Sequence, residues 1–175
     1  MELLRLTSLT DPLYGKAIEL YNEAFPDEER RPAHEQAHVM TKEDYHFEVI
    51  LADRDLVGIM LRWECGDLIF LEHFAILPDL RGRGYGAEAL ELLKSRGKAI
   101  LLEIEPPVDT MTERRYGFYR RCGFVMNPYH HIQAKYYVGA PDLELKVLSY
   151  PRTLTPEEYR TFYEYMTREI GIDAG

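Results

Sequence analysis

Leu68-Ile69-Phe70-Leu71-Glu72-His73-Phe74-Ala75-Ile76-Leu77, continuing through Pro78-Asp79-Leu80 into Arg81-Gly82-Arg83-Gly84-Tyr85-Gly86-Ala87, decides the fold. It predicts a buried strand, a turn, a glycine-rich loop and a helix. The helix follows because Ala87-Glu88-Ala89-Leu90-Glu91-Leu92-Leu93-Lys94 combines strong helix formers with apolar residues at helical spacing. In outline the loop is an anion cradle. Glycines let backbone N–H groups approach a ligand with no Cβ in the way, and the helix start aims its unpaired N–H groups and positive dipole end at the same place. Arg81 and Arg83 add charge-assisted donors.

Upstream, Glu2 to Ser8 alternates apolar and polar residues and predicts a first strand. Thr10 or Asp11 can cap a helix reaching about Phe25, with Leu13, Ala17, Ile18, Tyr21 and Phe25 on one face. Pro26 to Pro32 breaks it, and a second helix is predicted over Ala33 to Thr41. Asp44 to Ala52 and Leu56 to Cys65 read as a hairpin around Asp53-Arg54-Asp55, and the turn at Cys65-Gly66-Asp67 extends it to an antiparallel meander.

Downstream, Gly97 ends the loop's helix and Lys98 to Glu105 is a strongly apolar strand. A strand reached by a helical crossover lies parallel to the one before it. Pro106-Pro107 stops it. A helix is predicted from about Thr112 to Cys122, then a short strand at Gly123 to Met126. A further strand is predicted at Ile132 to Val138, a last strand at Leu143 to Ser149, and a C-terminal helix from Thr155 to near Ile170-Gly171. The expectation is a single domain over 1–175, with its core at about 2–149 and the last helix at about 155–171.

At 175 residues the chain suits one α/β or α+β domain. Thirteen tyrosines suggest half-polar cleft walls as well as core. A net charge of −9 argues against a general binder of nucleic acid or anionic membranes, and favours cationic or neutral substrates. No apolar run is long enough to span a bilayer, and Met-Glu-Leu-Leu-Arg is no signal peptide, so a cytoplasmic location is expected. Cys65 and Cys122 lack metal-ligand spacing and read as thiols; no metal is expected.

Two nucleotide readings compete for the loop. Gly82-x-Gly84-x-x-Ala87, with Glu103 or Glu105 about twenty residues on, satisfies a relaxed dinucleotide fingerprint. That fold turns straight from its strand into the first glycine, whereas Leu77 to Arg81 intervene here, and the upstream strands form a meander instead of βαβ units. The second reading covers more of the chain. Arg81-x-x-Gly84-x-Gly86 after a strand, then helix and strand, then Tyr119-Arg120-Arg121-Cys122-Gly123-Phe124, resembles the GCN5-related N-acetyltransferase (GNAT) superfamily over about Glu2 to Ser149. The resemblance implies an α/β (α+β) fold: a mixed, largely antiparallel central sheet flanked by helices, with a splayed parallel strand pair in the centre.

It also implies acetyl-CoA as cosubstrate and a primary amine as acceptor, attacked directly in a ternary complex. The pyrophosphate would lie on Arg81, Gly82, Arg83, Gly84, Tyr85, Gly86 and Ala87. The pantothenate arm would pair with Phe74, Ala75 and Ile76, whose amides near Phe74 or Ala75 would polarise the thioester carbonyl. Tyr119 matches the family's tyrosine acid, and Glu72 is the first choice as base, with Glu103 and Glu105 as alternatives and an ion pair to an arginine as the competing role. Where many members carry Asn and Ala this chain has Thr112 and Arg115; Thr112 can still bond the cofactor. Tyr21, Phe25, Glu28, Glu29, Tyr129, His130, His131 and Tyr136 are acceptor-site candidates by location. The acidic chain suggests a cationic acceptor such as a polyamine, an aminoglycoside-like amine or a lysine-like side chain. A non-catalytic acyl-CoA-binding or regulatory module on the same fold is the rival reading. Oligomeric state is left open.

Overall fold

The computed structural model describes residues 1–170. The chain divides into two compact units, Met1–Glu64 with Leu71–Lys98, and Cys65–Phe70 with the chain from Ala99 onward. The sheet is mixed and mostly antiparallel, with one parallel pair and flanking helices, as expected.

In the first unit, β1 (Glu2–Leu6), β2 (Tyr45–Ala52), β3 (Asp55–Cys65) and β4 (Leu68–Ile76) neighbour one another in that order, β1 on β2 and β2 on β3 being antiparallel. Ala52 pairs with Asp55, so the β2–β3 turn is only Asp53-Arg54, with φ of 51° and 71°. Two left-handed residues in a two-residue hairpin are the type I′ geometry that matches strand twist. The β2–β3 register slips between Ile50↔Gly58 and Leu51↔Leu56, leaving Val57 as an extra residue on β3. Val49, Ile59, Leu61 and Trp63 are buried in this unit. Helix α1 (Tyr14–Ala24) buries Ala17, Leu20 and Tyr21, a face slightly rotated from the predicted one. It starts after Asp11 because that carboxylate accepts the Leu13 N–H in a preceding turn. Helix α2 covers Ala33–Val39, and α3 covers Tyr85–Lys94.

In the second unit the start of β4 is followed by β5 (Ala99–Ile104), and Ala99 N–H donates to the Asp67 carbonyl at 3.2 Å. β8 (Glu144–Tyr150) runs antiparallel to β5 and to the short strands β6 (Val125–Met126) and β7 (His131–Ile132). The strand predicted over Ile132 to Val138 does not form. Gln133 N–H makes a last bond to the Leu143 carbonyl at 2.9 Å, after which the chain leaves β8 and turns at Gly139, φ 86°, with Tyr136 buried. Helix α4 (Thr110–Arg121) begins ahead of the predicted Thr112, because Asp109 accepts the Met111 and Thr112 N–H groups at 2.9 Å each. Helix α5 (Pro156–Glu169) starts as predicted, in a capping box of Thr155 and Glu158. Phe162 packs on Phe70, ring centroids 5.1 Å apart. The predicted end at Gly171 lies outside the described residues. Among the described residues, no helix is long and apolar enough to cross a membrane.

Candidate functional site

After β4 the chain makes a single 3₁₀ turn, Pro78–Leu80, and enters the glycine loop. Gly82 and Gly84 have φ of +75° and +89°. An added Cβ at either would meet no atom within 4 Å, so glycine is required there by backbone conformation and not by lack of room. Gly84 is the residue before α3, and the first intrahelical bond runs from Glu88 N–H to the Gly84 carbonyl at 3.0 Å. The N–H groups of Tyr85, Gly86 and Ala87 therefore precede any intrahelical partner. Arg81 and Arg83 are exposed beside them, and Arg81 Nε donates to the Ile76 carbonyl at 3.1 Å. The donors, dipole and charge fit a phosphate-bearing ligand.

The end of β4 is positioned by a residue that reasoning from sequence passed over. A Cβ on Gly58 would lie 2.5 Å from the Ala75 carbonyl oxygen and 2.8 Å from Ile76 Cδ1. Leu77 N–H donates to the carbonyl of Val57, the extra residue of the bulge, at 2.9 Å. Gly58 thus lets β3 close on the stretch Phe74, Ala75 and Ile76. Its signal was present: a glycine inside a strand pattern marks a bulge or a close backbone approach.

Glu72 lies in a buried ion pair. Its side chain is 0% exposed and that of Arg31 is 3% exposed. Arg31 holds both carboxylate oxygens, Nη1 donating to Oε2 at 2.7 Å and Nη2 to Oε1, while Trp63 Nε1 donates to Oε2 at 3.1 Å. Burial opposes ionisation here, but Arg31 and then His73 outweigh it and hold the carboxyl well below its ordinary range. Arg31 also lies over the rings of Tyr45 and Trp63, 5.5 Å from each centroid, and its N–H donates to the Tyr21 hydroxyl at 3.0 Å. His73 Nε2 meets the Glu29 carbonyl at 2.7 Å, between the edges of Tyr21 and Phe25. Adjacent residues of β4 thereby secure the segment 29–31. An arginine partner for Glu72 is expected from sequence, but its identity as Arg31 is not, because Pro26 to Pro32 reads there only as a break between helices.

In the second unit, Tyr119 of α4 is buried between the rings of Phe118 and Phe124, centroids at 5.1 and 5.7 Å. Burial pushes its phenol well above the ordinary value. Thr112 is committed to the α4 cap: its hydroxyl accepts the Val108 and Asp109 N–H groups at 3.1 Å each and contacts Asp109. Glu105 pairs with Arg115, both partly exposed. Glu103 instead meets His131 Nε2, and His131 Nδ1 faces the Tyr159 hydroxyl at 2.9 Å. Among the acceptor-site candidates, Tyr21, His131 and Tyr136 are core side chains, and Tyr129 is stacked on Tyr159.

Residues 12–124 match the profile of the Acetyltransferase (GNAT) family. A Bacillus subtilis protein named as an acetyltransferase, YjbC, is 36% identical over 110 residues, which are 61% of this chain and 55% of that protein. The chain spans about half the length of that curated relative. A Bacteroides thetaiotaomicron structure, described as a GNAT-family acetyltransferase, superposes with a TM-score of 0.90 at 29% identity, covering 99% of this chain and 100% of that one. A Bacillus subtilis acetyltransferase solved in complex with CoA shares the fold at 15% identity, with a TM-score of 0.54 over 85% of this chain and 95% of that one.

Proposed function

The chain belongs to the acetyltransferase (GNAT) family, and from that premise we propose that it transfers the acetyl group of acetyl-CoA to a primary amine by direct attack in a ternary complex. The observation that carries the reading is the loop from Arg81 to Ala87, with two left-handed glycines leading into the α3 N-terminus. Bound acetyl-CoA would supply the thioester. Gly82 to Ala87 would hold its pyrophosphate through backbone N–H groups, and Arg81 and Arg83 would add charge. Phe74, Ala75 and Ile76 would take the pantothenate arm as an added strand, and an amide near Phe74 or Ala75 would polarise the carbonyl. The whole of 1–175 is proposed to act as one acetyltransferase domain in the cytoplasm.

Tyr119 is the proposed acid for the leaving thiolate. A phenol with its pKa raised by burial stays protonated at all working pH, so it gives up the proton only as the sulfur takes it. For Glu72 the ion pair alters the sequence-based assignment as base. A carboxylate held ionised by a bidentate arginine is a weak proton acceptor, so Glu72 is proposed as an anchor and the amine's proton leaves by another route. The net charge of −9 favours a cationic acceptor.

Thermal-shift comparison of CoA with NAD tests the loop, CoA alone being expected to protect. Steady release of CoA thiol with a panel of cationic and neutral amines tests the chemistry. Turnover of neutral amines only would remove the cationic acceptor. CoA binding with no turnover of any amine would leave the non-catalytic module.

A further inference from the structure

Two carboxylates on one face of β2 and β3 tie the far end of α3 to those strands. The side chain of Arg62 is 0% exposed and that of Glu48 is 3% exposed. Arg62 Nε and Nη2 donate to Glu48 at 2.8 and 3.1 Å, and Nη1 donates to Glu64 at 2.6 Å. Nη2 also reaches Nδ1 of His46, the residue opposite Arg62 on β2, at 3.1 Å. Each carboxylate takes a further cation from the chain that follows α3. Arg96 Nη2 donates to Glu48 Oε1 at 3.0 Å, and Lys98 Nζ donates to Glu64 Oε2 at 2.7 Å. Burial opposes ionisation of Glu64, but Lys98 and Arg62 outweigh it and hold the carboxyl at about 2, so it is charged at neutral pH. Between the two cations Gly97 turns the chain with φ of 72°, and its N–H donates to the Lys94 carbonyl at 3.0 Å. Arg96 and Lys98 therefore flank the residue that closes α3.

A helix moves as a rod. The ten residues of α3 span about 15 Å, at about 1.5 Å per residue. Ala89, Leu90 and Leu93 seat its middle, each 0% exposed. Apolar contact of this kind has no direction, so it holds the helix down without fixing how it tilts or slides. Charged hydrogen bonds do have direction, and those of Arg96 and Lys98 act at the end farthest from the glycine loop. The N–H groups of Tyr85, Gly86 and Ala87 point along the axis at the other end, so a tilt at one end re-aims the donors at the other. A buried ion network adds little net stability, because desolvation offsets its attraction, and its better-attested use is to select one arrangement.

We propose that Glu48 and Glu64 are positioning residues for cofactor binding: through Arg96 and Lys98 they set the axis of α3, and with it the aim of the N–H groups of Tyr85, Gly86 and Ala87. The assignment rests on reading the loop as the CoA pyrophosphate site. Arg62 holds the two carboxylates in register, and the whole network lies in the same compact unit as the loop. These residues act on the cofactor only through α3, so their loss falls on CoA affinity and not on the acceptor or the chemical step.

The experiment pairs calorimetry of CoA binding with amide NMR and urea unfolding on the full chain. Arg96→Met, at a partly exposed position, cuts one tie and leaves the Arg62–Glu48 pair in place. It is expected to weaken CoA binding and raise KM for acetyl-CoA about fivefold or more, the lower range of coupling between sites, with kcat and KM for the amine within about twofold. The amide resonances of Tyr85, Gly86 and Ala87 are expected to shift in the unliganded variant. Arg96→Lys keeps the charge and should restore most of the affinity. Lys98→Met should act in the same direction, and should one of the two variants fail to fold the other decides. Asn127→Ala, which strips a buried hydrogen-bonding side chain from the second unit, is the control: it should lower urea stability with CoA affinity unchanged. Unchanged CoA affinity and unchanged amide resonances in Arg96→Met and Lys98→Met would overturn the positioning role and leave the CoA site standing. An equal loss of affinity in Asn127→Ala would overturn it too, since affinity would then follow stability alone. A wild type that does not bind CoA would overturn both this role and the reading of the loop.

Discussion

Replacing Glu72 by Gln removes the charge that Arg31 is buried against while keeping the side chain's shape. The guanidinium, 3% exposed, would keep its contacts over Tyr45 and Trp63 but lose a bidentate ionic partner in a site water does not reach. Removing one member of a buried pair costs about 3–5 kcal/mol, because the other charge is left uncompensated. For a chain of this size, 1 kcal/mol moves Tm by roughly 2–4 °C, so a fall of about 6–20 °C is expected. Urea unfolding of Glu72→Gln, Arg31→Met and the double variant closes a cycle. The double variant should regain most of the loss, since a buried pair replaced by apolar or neutral groups is often neutral or stabilising. The pH dependence has a defined sign. The carboxyl's folded pKa lies below its ordinary 4.5, so its stabilisation is present above that value and is lost as pH falls below it; Glu72→Gln should lack this acid-side loss. Two results would refute the reasoning. A loss under about 1 kcal/mol in Glu72→Gln would mean that the pair is solvated. A double variant with restored stability and kcat reduced by about 10³ or more would return Glu72 to the role of base.

Gly84→Ala should destabilise by about 1–2 kcal/mol through its left-handed φ alone, and calorimetry should show weaker CoA binding, since the N–H groups ahead of α3 would be turned. Gly58→Ala forces a Cβ against the Ala75 carbonyl and should cost about 1–3 kcal/mol in urea unfolding while raising KM for acetyl-CoA. Tyr119→Phe should lower kcat by about 10²-fold with CoA affinity retained, measured by thiol release and calorimetry. Burial, then Arg62 and Arg5, lower His46 to about 4, so the folded state resists its protonation. Stability should therefore fall as pH drops from about 6.5 towards 4, and His46→Gln should flatten that limb in pH-dependent thermal melts.

The elements legible in the sequence are those whose causes lie within a few residues. The Thr155 capping box, the hairpin at Asp53-Arg54 and the glycines of the 82–84 loop each follow from local backbone preference. Failures have the same explanation. The residues from Ile132 to Val138 have strand-like composition, but a strand needs a neighbour, and β8 stays paired only as far as the Gln133–Leu143 bond. The Asp109 cap that starts α4 is less legible, because an aspartate two residues after Pro106-Pro107 equally suits a turn. At the candidate site, the loop and the β4 stretch were readable as a strand, turn and helix start, whereas the partner of every carboxylate was not.

By itself the sequence determined a strand, a glycine loop and a helix start in that order, a mixed and mostly antiparallel sheet, and a net charge of −9. Only the tertiary structure decided what each charged side chain does. Arg31 reaches Glu72 across 41 positions and His131 reaches Glu103 across 28, and both pairs are buried. The physical reason is range. Backbone preferences act over one turn of chain, but the protonation and hydrogen bonding of a buried carboxylate depend on whichever distant group the fold sets beside it.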